Sequence, residues 1–398
     1  MSDRVRNLLT MLMLFLLAGA AFVAGYFTND FVELRGGGTL VQEQTDFDLF
    51  WEAWNLLESN FIGDLPTAKE MTYSAIRGVV SALNDPYTVF VEPVIRTQER
   101  EQLQGSFGGI GAYLSRPEDG GDVILDPIPG NPAEIAGILT GDVLLAVDGV
   151  EITADFTVAQ IVEMIKGEKG SAVTLTVLHP GETEPVNIEV ERDDILIPSV
   201  TYRLLTEDES IGYIQLTRFS GESSNEIEEA VADLLEQGAE KLVLDLRNNG
   251  GGLLDAAVQV SDHFMDEGPV LYQQIKGETE RIYETTDETL APDIPLVVLV
   301  NGGTASASEI LAGALHDRER AVLVGQRTFG KGSVQLVFDL SDGSSVHVTS
   351  SRWFTPDRHL IDQQGLEPDF VVEITQEAID NGRDEVLDRA IEYLQSGN

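Results

Sequence analysis

Two loops and one lysine hold the residues of this 398-residue chain whose types and spacing could do chemistry. The first loop is Asp245-Leu246-Arg247-Asn248-Asn249-Gly250-Gly251-Gly252. The second is Asn301-Gly302-Gly303-Thr304-Ala305-Ser306-Ala307-Ser308-Glu309. Glycine after a strand lets backbone N–H groups approach an anion, phosphate or oxyanion alike. Neither loop has the GxGxxG or GxxxxGK[ST] spacing, which counts against a phosphate-binding enzyme. The second loop puts three hydroxyls, on Thr304, Ser306 and Ser308, at a helix start where free N–H groups and the helix dipole favour negative charge. For any one of them alone, helix capping is a sufficient explanation.

A nucleophilic serine also needs a base. The five histidines, His179, His263, His316, His347 and His359, show no Ser-His-Asp spacing, although chain order alone leaves a triad open. Lysine is the other candidate, because burial lowers its pKa from ~10.4 by several units. Lys331 lies in Phe329-Gly330-Lys331-Gly332, ahead of a predicted strand Val334 to Phe338. A solvated turn lysine is its plain alternative. Gln335 lies four residues further on, and if both positions are extended their side chains share a face.

The loops need strands to hold them. From about residue 193 the pattern alternates strand and helix: Ile211 to Leu216, a helix over 222–237, Lys241 to Leu246, a helix after Gly252, Pro295 to Val300, and a helix over 306–316. Unbroken apolar runs such as Leu296-Val297-Val298-Leu299-Val300 suit strands buried on both faces of an α/β core, where ligands gather at the carboxyl ends. Trp353 to Asp369 reads as irregular, and 376–396 as a closing helix with Ile379, Val386, Leu387 and Ala390 inward. Residues 105–192 instead show short apolar alternations separated by Gly, Pro and Asp, a β-rich domain. It carries one helix, Thr157 to Gly167, with Val158, Ile161, Val162 and Ile165 on one face. Residues 45–100 read as a small helical module with a stripe of Phe47, Phe50, Trp51, Trp54, Leu57 and Phe61, expected to be core. Asn84-Asp85-Pro86 supplies a turn.

Twenty-five basic against 68 acidic side chains give a formal charge of −43. That charge repels a phosphate backbone and argues against nucleic acid as a partner. The absence of cysteine removes disulfides, thiolate nucleophiles and Cys-ligated metals. Arg4 and Arg6 precede the uncharged run Leu8 to Phe27, which has the ~20 residues of a membrane-spanning helix. The flanking charge favours a cytoplasmic amino terminus, with everything after Asp30 outside the cytoplasm. Cleavage near Ala18-Gly19-Ala20, giving a secreted protein, is the competing reading, but the run exceeds the ~7–15 residues of an h-region. The expected organisation is therefore a stub, anchor and linker over 1–35, the helical module over 45–100, the β-rich domain over 101–192, the α/β domain over 193–375 and a terminal helix over 376–398.

Taken together, these motifs resemble the carboxyl-terminal processing proteases, a bacterial Ser/Lys peptidase family (S41) with an inserted PDZ domain. The likeness rests on Asp85-Pro86-Tyr87-Thr88, the Asp-Leu-Arg-Asn-Asn-x-Gly-Gly loop, Ser-Ala-Ser-Glu and Phe-Gly-Lys-Gly-Ser-Val-Gln, in that order between about residues 47 and 372. It implies a ClpP/crotonase-like α/β core with Ser306 as nucleophile, Lys331 as base and Gln335 as the residue that positions the lysine. It also implies an oxyanion hole from the N–H groups of Gly252 and Ala307. In the β-rich part, Ile110, Gly111 and Ala112 match a PDZ carboxylate-binding loop, so proteins with exposed carboxyl termini are the implied substrates. Neither a metal nor an organic cofactor is implied, and homo-oligomerisation is left open. The sequence departs from the family pattern at Gly250, where proline is common, and at Thr304, where serine is common. A non-catalytic PDZ scaffold and a Ser-His hydrolase are the rival readings.

Overall fold

The computed structural model describes residues 40–396 apart from 118–120, 287–288 and 292. The apolar run Leu8 to Phe27 and the Gly36 to Gly38 linker lie outside the described residues. Among those described, no helix is long and apolar enough to cross a membrane. The described residues divide into two units, with the boundary between Ala75 and Ile76.

Helix α1, Leu40–Asn60, forms the described start of the first unit, and α2, Ala68–Ser81, runs from it into the second. The aromatic stripe is not core: Phe47, Phe50, Trp51 and Leu57 on α1 and Phe61 just after it are exposed, and Trp54 is half-buried. Spacing of three and four specifies that one helix face is apolar, not what covers it. The module is also not purely helical. Asn84 turns the chain at a φ of 52°, and strand β1, Val89–Val91, pairs antiparallel with residues 345–347 before α3, Pro93–Gln104, begins.

The β-rich domain hangs from α3 by a two-stranded neck, Ser106–Gly109 against Asp193–Leu196. Its main antiparallel sheet runs through Ala112–Ser115, Val123–Pro127, Asp142–Val147, Ala172–Leu178 and Val186–Glu191. Helix α4, Val158–Ile165, starts where expected. Thr157 caps it reciprocally with Gln160, satisfying two end donors at once. Its Ile161 is fully buried in one cluster with Leu125, Leu175 and Val190 of the sheet.

The remainder builds the α/β core. In chain order its elements are β2 (Val200–Leu204), β3 (Ile211–Leu216), α5 (Ser223–Glu236), β4 (Lys241–Asp245), α6 (Leu254–Asp262), β5 (Gly268–Ile275) and β6 (Arg281–Thr285). There follow β7 (Leu296–Val300), α7 (Ala307–Asp317), β8 (Val322–Gly325), β9 (Ser333–Asp339), β10 (Ser345–Phe354), β11 (Phe370–Val371) and α8 (Glu385–Ser396). One sheet has the order β2-β3-β4-β7-β8-β11, parallel except for β2. Alternation along its strands serves two cores: Leu244, Val298 and Val300 pack with α5, α6 and α7, while Val243, Val297 and Leu299 pack with α8. Each such side chain contributes roughly 1.5–3 kcal/mol on burial. A second, antiparallel sheet has the order β1-β10-β5-β6, with β9 on the other edge of β10.

The closing helix is two helices. Gly382, at φ 65°, ends a short helix Gln376–Asn381 before α8 starts, so the helical phase is lost and Ile379 is exposed while Val386 and Ala390 are buried. Trp353 belongs to β10 and is buried, rather than to an irregular stretch.

Candidate active site

The loops that follow β4 and β7 meet at the carboxyl ends of the parallel strands, and buried Asn249 pins them together. Its main-chain oxygen accepts the Ala305 N–H at 3.0 Å and the Ser308 hydroxyl at 2.9 Å. Its side chain donates to Leu216 O at 2.8 Å and accepts from Gly251 N at 2.9 Å. The three hydroxyls at the start of α7 are thereby sorted. Thr304 is buried and donates to Leu246 O, and Ser308 is buried and donates to Asn249 O. Ser306 alone of the three is only partly buried.

Ser306 has φ 57° and ψ −117°, a conformation a non-glycine residue adopts at a cost of ~1–3 kcal/mol. A strained strand-to-helix turn of this kind thrusts a side chain out of the loop. Gly251 backs directly onto it at φ 100°: a Cβ there would lie 2.9 Å from both Ser306 Cβ and Ala307 N. Gly252, at φ 148°, lies so close to Phe219 that a Cβ would sit 2.0 Å from its oxygen. Gly250 has open space around it and no positive φ, so the position has room for a side chain. The N–H groups of Gly252 and Ala307 have no acceptor among the described residues.

Glu309, three residues into α7 and fully buried, joins the serine to the lysine. Its Oε2 accepts both the Ser306 N–H at 2.9 Å and the Lys331 N–H at 2.8 Å. Its Oε1 accepts the Gly330 N–H at 2.7 Å and the Thr328 hydroxyl at 2.6 Å. The one local sign of Glu309 in the sequence is the capping-box spacing of Ser306-x-x-Glu309, which gives no hint of its bonds to the lysine loop.

Lys331 is held on its other side by buried Trp353, whose Nε1 donates to the lysine carbonyl at 3.1 Å. The amine has no ion-pair partner among the described residues and lies 5.2 Å from the centre of the Tyr87 ring. Burial pushes its pKa down from the usual lysine value, against the opposing pull of the Glu309 charge. Gln335 forms no hydrogen bond with it among the described residues: its Nε2 donates to Ser333 Oγ at 2.9 Å and to Thr349 Oγ1 at 3.5 Å. A bulge between Val334 and Gln335 breaks the alternation that sharing a face presumes.

The histidines lie in other company. His263 meets Ser224, His179 meets Asp142, His347 faces Glu99 at 3.5 Å, and His316 and His359 surround Asp317. Among the described residues none is hydrogen-bonded to Ser306, so the site offers no Ser-His pair. In the β-rich domain, Ile110, Gly111 and Ala112 line a groove of about 260 Å³ against Val162, Ile165 and Lys166. The N–H groups of Ile110 and Gly111 have no acceptor among the described residues.

Comparison with known proteins places these features in one lineage. Residues 210–372 match peptidase family S41, and residues 123–178 match a PDZ domain. A carboxyl-terminal-processing protease of Picosynechococcus sp. is 39% identical over 322 residues, covering 80% of this chain and 77% of the relative. A probable CtpA-like serine protease of Staphylococcus aureus is 33% identical over 345 residues, covering 86% of this chain and 68% of the relative. Among solved structures, a photosystem II D1 C-terminal processing protease is similar at 35% identity and a TM-score of 0.46, covering 80% of this chain and 86% of that one.

Proposed function

The chain belongs to peptidase family S41 as a serine-type peptidase with a PDZ domain, and from that premise we propose that Ser306 and Lys331 form its catalytic dyad. The observation that carries the assignment is the single Glu309 oxygen accepting both the Ser306 and the Lys331 N–H, which fixes the backbones of serine and lysine at one point. Neutral Lys331 takes the proton of the Ser306 hydroxyl as Oγ attacks the scissile carbonyl carbon. The oxyanion that forms is met by the N–H groups of Gly252 and Ala307, both aimed at no other acceptor. The lysine ammonium then returns the proton to the leaving amine, and an ester on Ser306 remains. Water, giving its proton to Lys331, attacks that ester, and the ammonium passes the proton on to Ser306 Oγ as the acid leaves. Gln335 joins as a positioning group by turning its amide from Ser333 toward the amine. The surrounding core is read as ClpP/crotonase-like.

Substrates are proteins, and the groove at Ile110, Gly111 and Ala112 has the chemistry to receive their free carboxyl termini, backbone N–H groups meeting the carboxylate as the chain adds beside α4. The uncharged run Leu8 to Phe27 supports a single-pass bacterial membrane protein with its peptidase outside the cytoplasm, secretion after cleavage being the alternative. Cleavage of an unfolded protein by wild type, with loss in both Ser306→Ala and Lys331→Ala, tests the dyad. Wild-type turnover in either variant rejects it, and binding of tails without any cleavage favours the scaffold reading.

A further inference from the structure

The motif Asp85-Pro86-Tyr87-Thr88 carries part of the family likeness yet lies far from Ser306 and Lys331 in the chain and has no part in the dyad. In the fold it arrives at the lysine. The Thr88 hydroxyl donates to Asp85 Oδ2 at 2.5 Å, and the Tyr87 N–H reaches Asp85 Oδ1 at 3.3 Å, closing a tight turn. Thr88 Oγ1 in turn accepts the Thr349 N–H at 3.1 Å, clasping the turn to β10. Thr349 is also the β10 residue opposite Gln335. The next residues enter β1 and pair with His347 and its neighbours. Within the clasp, the half-buried Tyr87 ring lies over the Lys331 amine, 5.2 Å from centre to Nζ.

We propose that Tyr87 is a positioning residue for catalysis: held by the Asp85–Thr88–Thr349 clasp, its ring walls the Lys331 amine from water and so keeps it usable as a base. The inference rests on the dyad reading and goes beyond it by giving the lysine its missing wall. The charged and titratable groups around the amine are Glu309 from α7, whose charge favours the ammonium, and His347 from β10, whose own pKa is pushed down by burial with the Lys331 charge adding to the effect. Asp85 and Asp362 stand beside Tyr87, and burial together with these carboxylates and Glu309 pushes the phenol pKa up, so the ring stays neutral. None of these acids forms an ion pair with the amine among the described residues. Desolvation is the leading influence on Lys331, and it acts through whatever excludes water. The attraction of the ring face for an ammonium acts the other way and is the weaker of the two where burial is deep.

The test is the pH dependence of kcat/KM on an unfolded-protein substrate, using the full chain with Tyr87→Phe, Tyr87→Leu and Tyr87→Ala beside Lys331→Ala. Tyr87→Phe keeps the wall and leaves the lysine limb where wild type has it. Tyr87→Ala admits water, so the limb moves to higher pH and the neutral-pH loss closes as pH rises, staying below the about 100-fold that removing a general base costs. Tyr87→Leu, which keeps apolar bulk, falls between the two and serves if the alanine variant does not fold. A limb that stays put or moves down in both the alanine and leucine variants overturns the inference, since a merely structural defect lowers kcat equally at every pH. If Lys331→Ala turns over normally, the dyad reading falls and this inference with it. A dead Lys331→Ala beside an unmoved limb removes Tyr87 alone.

Discussion

Replacing Glu309 by glutamine separates the bridge from its charge. The carboxylate accepts four hydrogen bonds in a fully buried site, so Glu309→Ala orphans four donors at ~1–3 kcal/mol each. That total approaches the whole stability of a domain, ~5–15 kcal/mol, and the alanine variant is expected not to fold. Glutamine keeps one acceptor oxygen. Its NH₂ settles on the Thr328 side, where the hydroxyl can rotate to accept, and its oxygen stays with Ser306 N and Lys331 N. Gly330 N then has no acceptor, at ~1–3 kcal/mol, and the Thr328 hydroxyl proton must turn to another one. If that slack in the lysine loop is felt fully in the transition state, kcat falls by roughly 5- to 150-fold at little change in KM. The charge effect has its own signature. Glu309 favours the Lys331 ammonium, so its neutralisation moves the lysine limb of the pH–rate profile to lower pH. Peptide hydrolysis across pH, with a thermal melt to confirm folding, reads both. A Glu309→Gln enzyme with wild-type kcat, or with a limb displaced to higher pH, refutes the reasoning.

Ser308→Ala removes one of two bonds to Asn249 O, since Ala305 N remains, and is expected to lower stability by about 1 kcal/mol in denaturant melts while leaving turnover largely intact. Gly251→Ala drives a Cβ to within 2.9 Å of Ser306 Cβ at a positive φ and is expected to lose most peptidase activity, whereas Gly250→Ala keeps activity and gains ~0.4–1 kcal/mol of stability. His316, hydrogen-bonded to Asp317 and faced by Asp369, has its pKa pushed up to about 9, above the unfolded value near 6.5. Its pairs therefore stabilise fully below pH ~6.5 and are lost as pH rises through about 9. His316→Gln is expected to lower the melting temperature at pH 6 and to make little difference at pH 10.

The parallel sheet was legible because strands buried on both faces are uninterrupted apolar runs, as in Leu296 to Val300. The second sheet was not, because its strands bury polar residues that hide the alternation: Gln273 on β5 donates to Ser351 on β10 at 2.8 Å, both buried. The terminal segment misled because one left-handed glycine, Gly382, resets the helical phase. At the site, Ser306 and Lys331 stand out by motif and residue type, each with a plain local explanation, and what the fold adds is that their loops share Glu309. Local sequence offers Glu309 as a helix cap and Tyr87 as a turn residue. The bonds of Glu309 to both loops and the approach of the Tyr87 ring to Lys331 exist only in three dimensions, where segments distant in the chain converge. The aromatic stripe of α1 marks the opposite limit, since periodicity identifies an apolar face without identifying what covers it.

The most direct test of the dyad is covalent labelling by a fluorophosphonate, with the modified residue mapped by mass spectrometry across pH in wild type and in Lys331→Ala. Label should appear on Ser306, at a rate that rises with pH through a pKa below the ordinary lysine value, and that rise should vanish in Lys331→Ala. Label on another residue, or equal labelling of Ser306 at every pH in both proteins, contradicts the account.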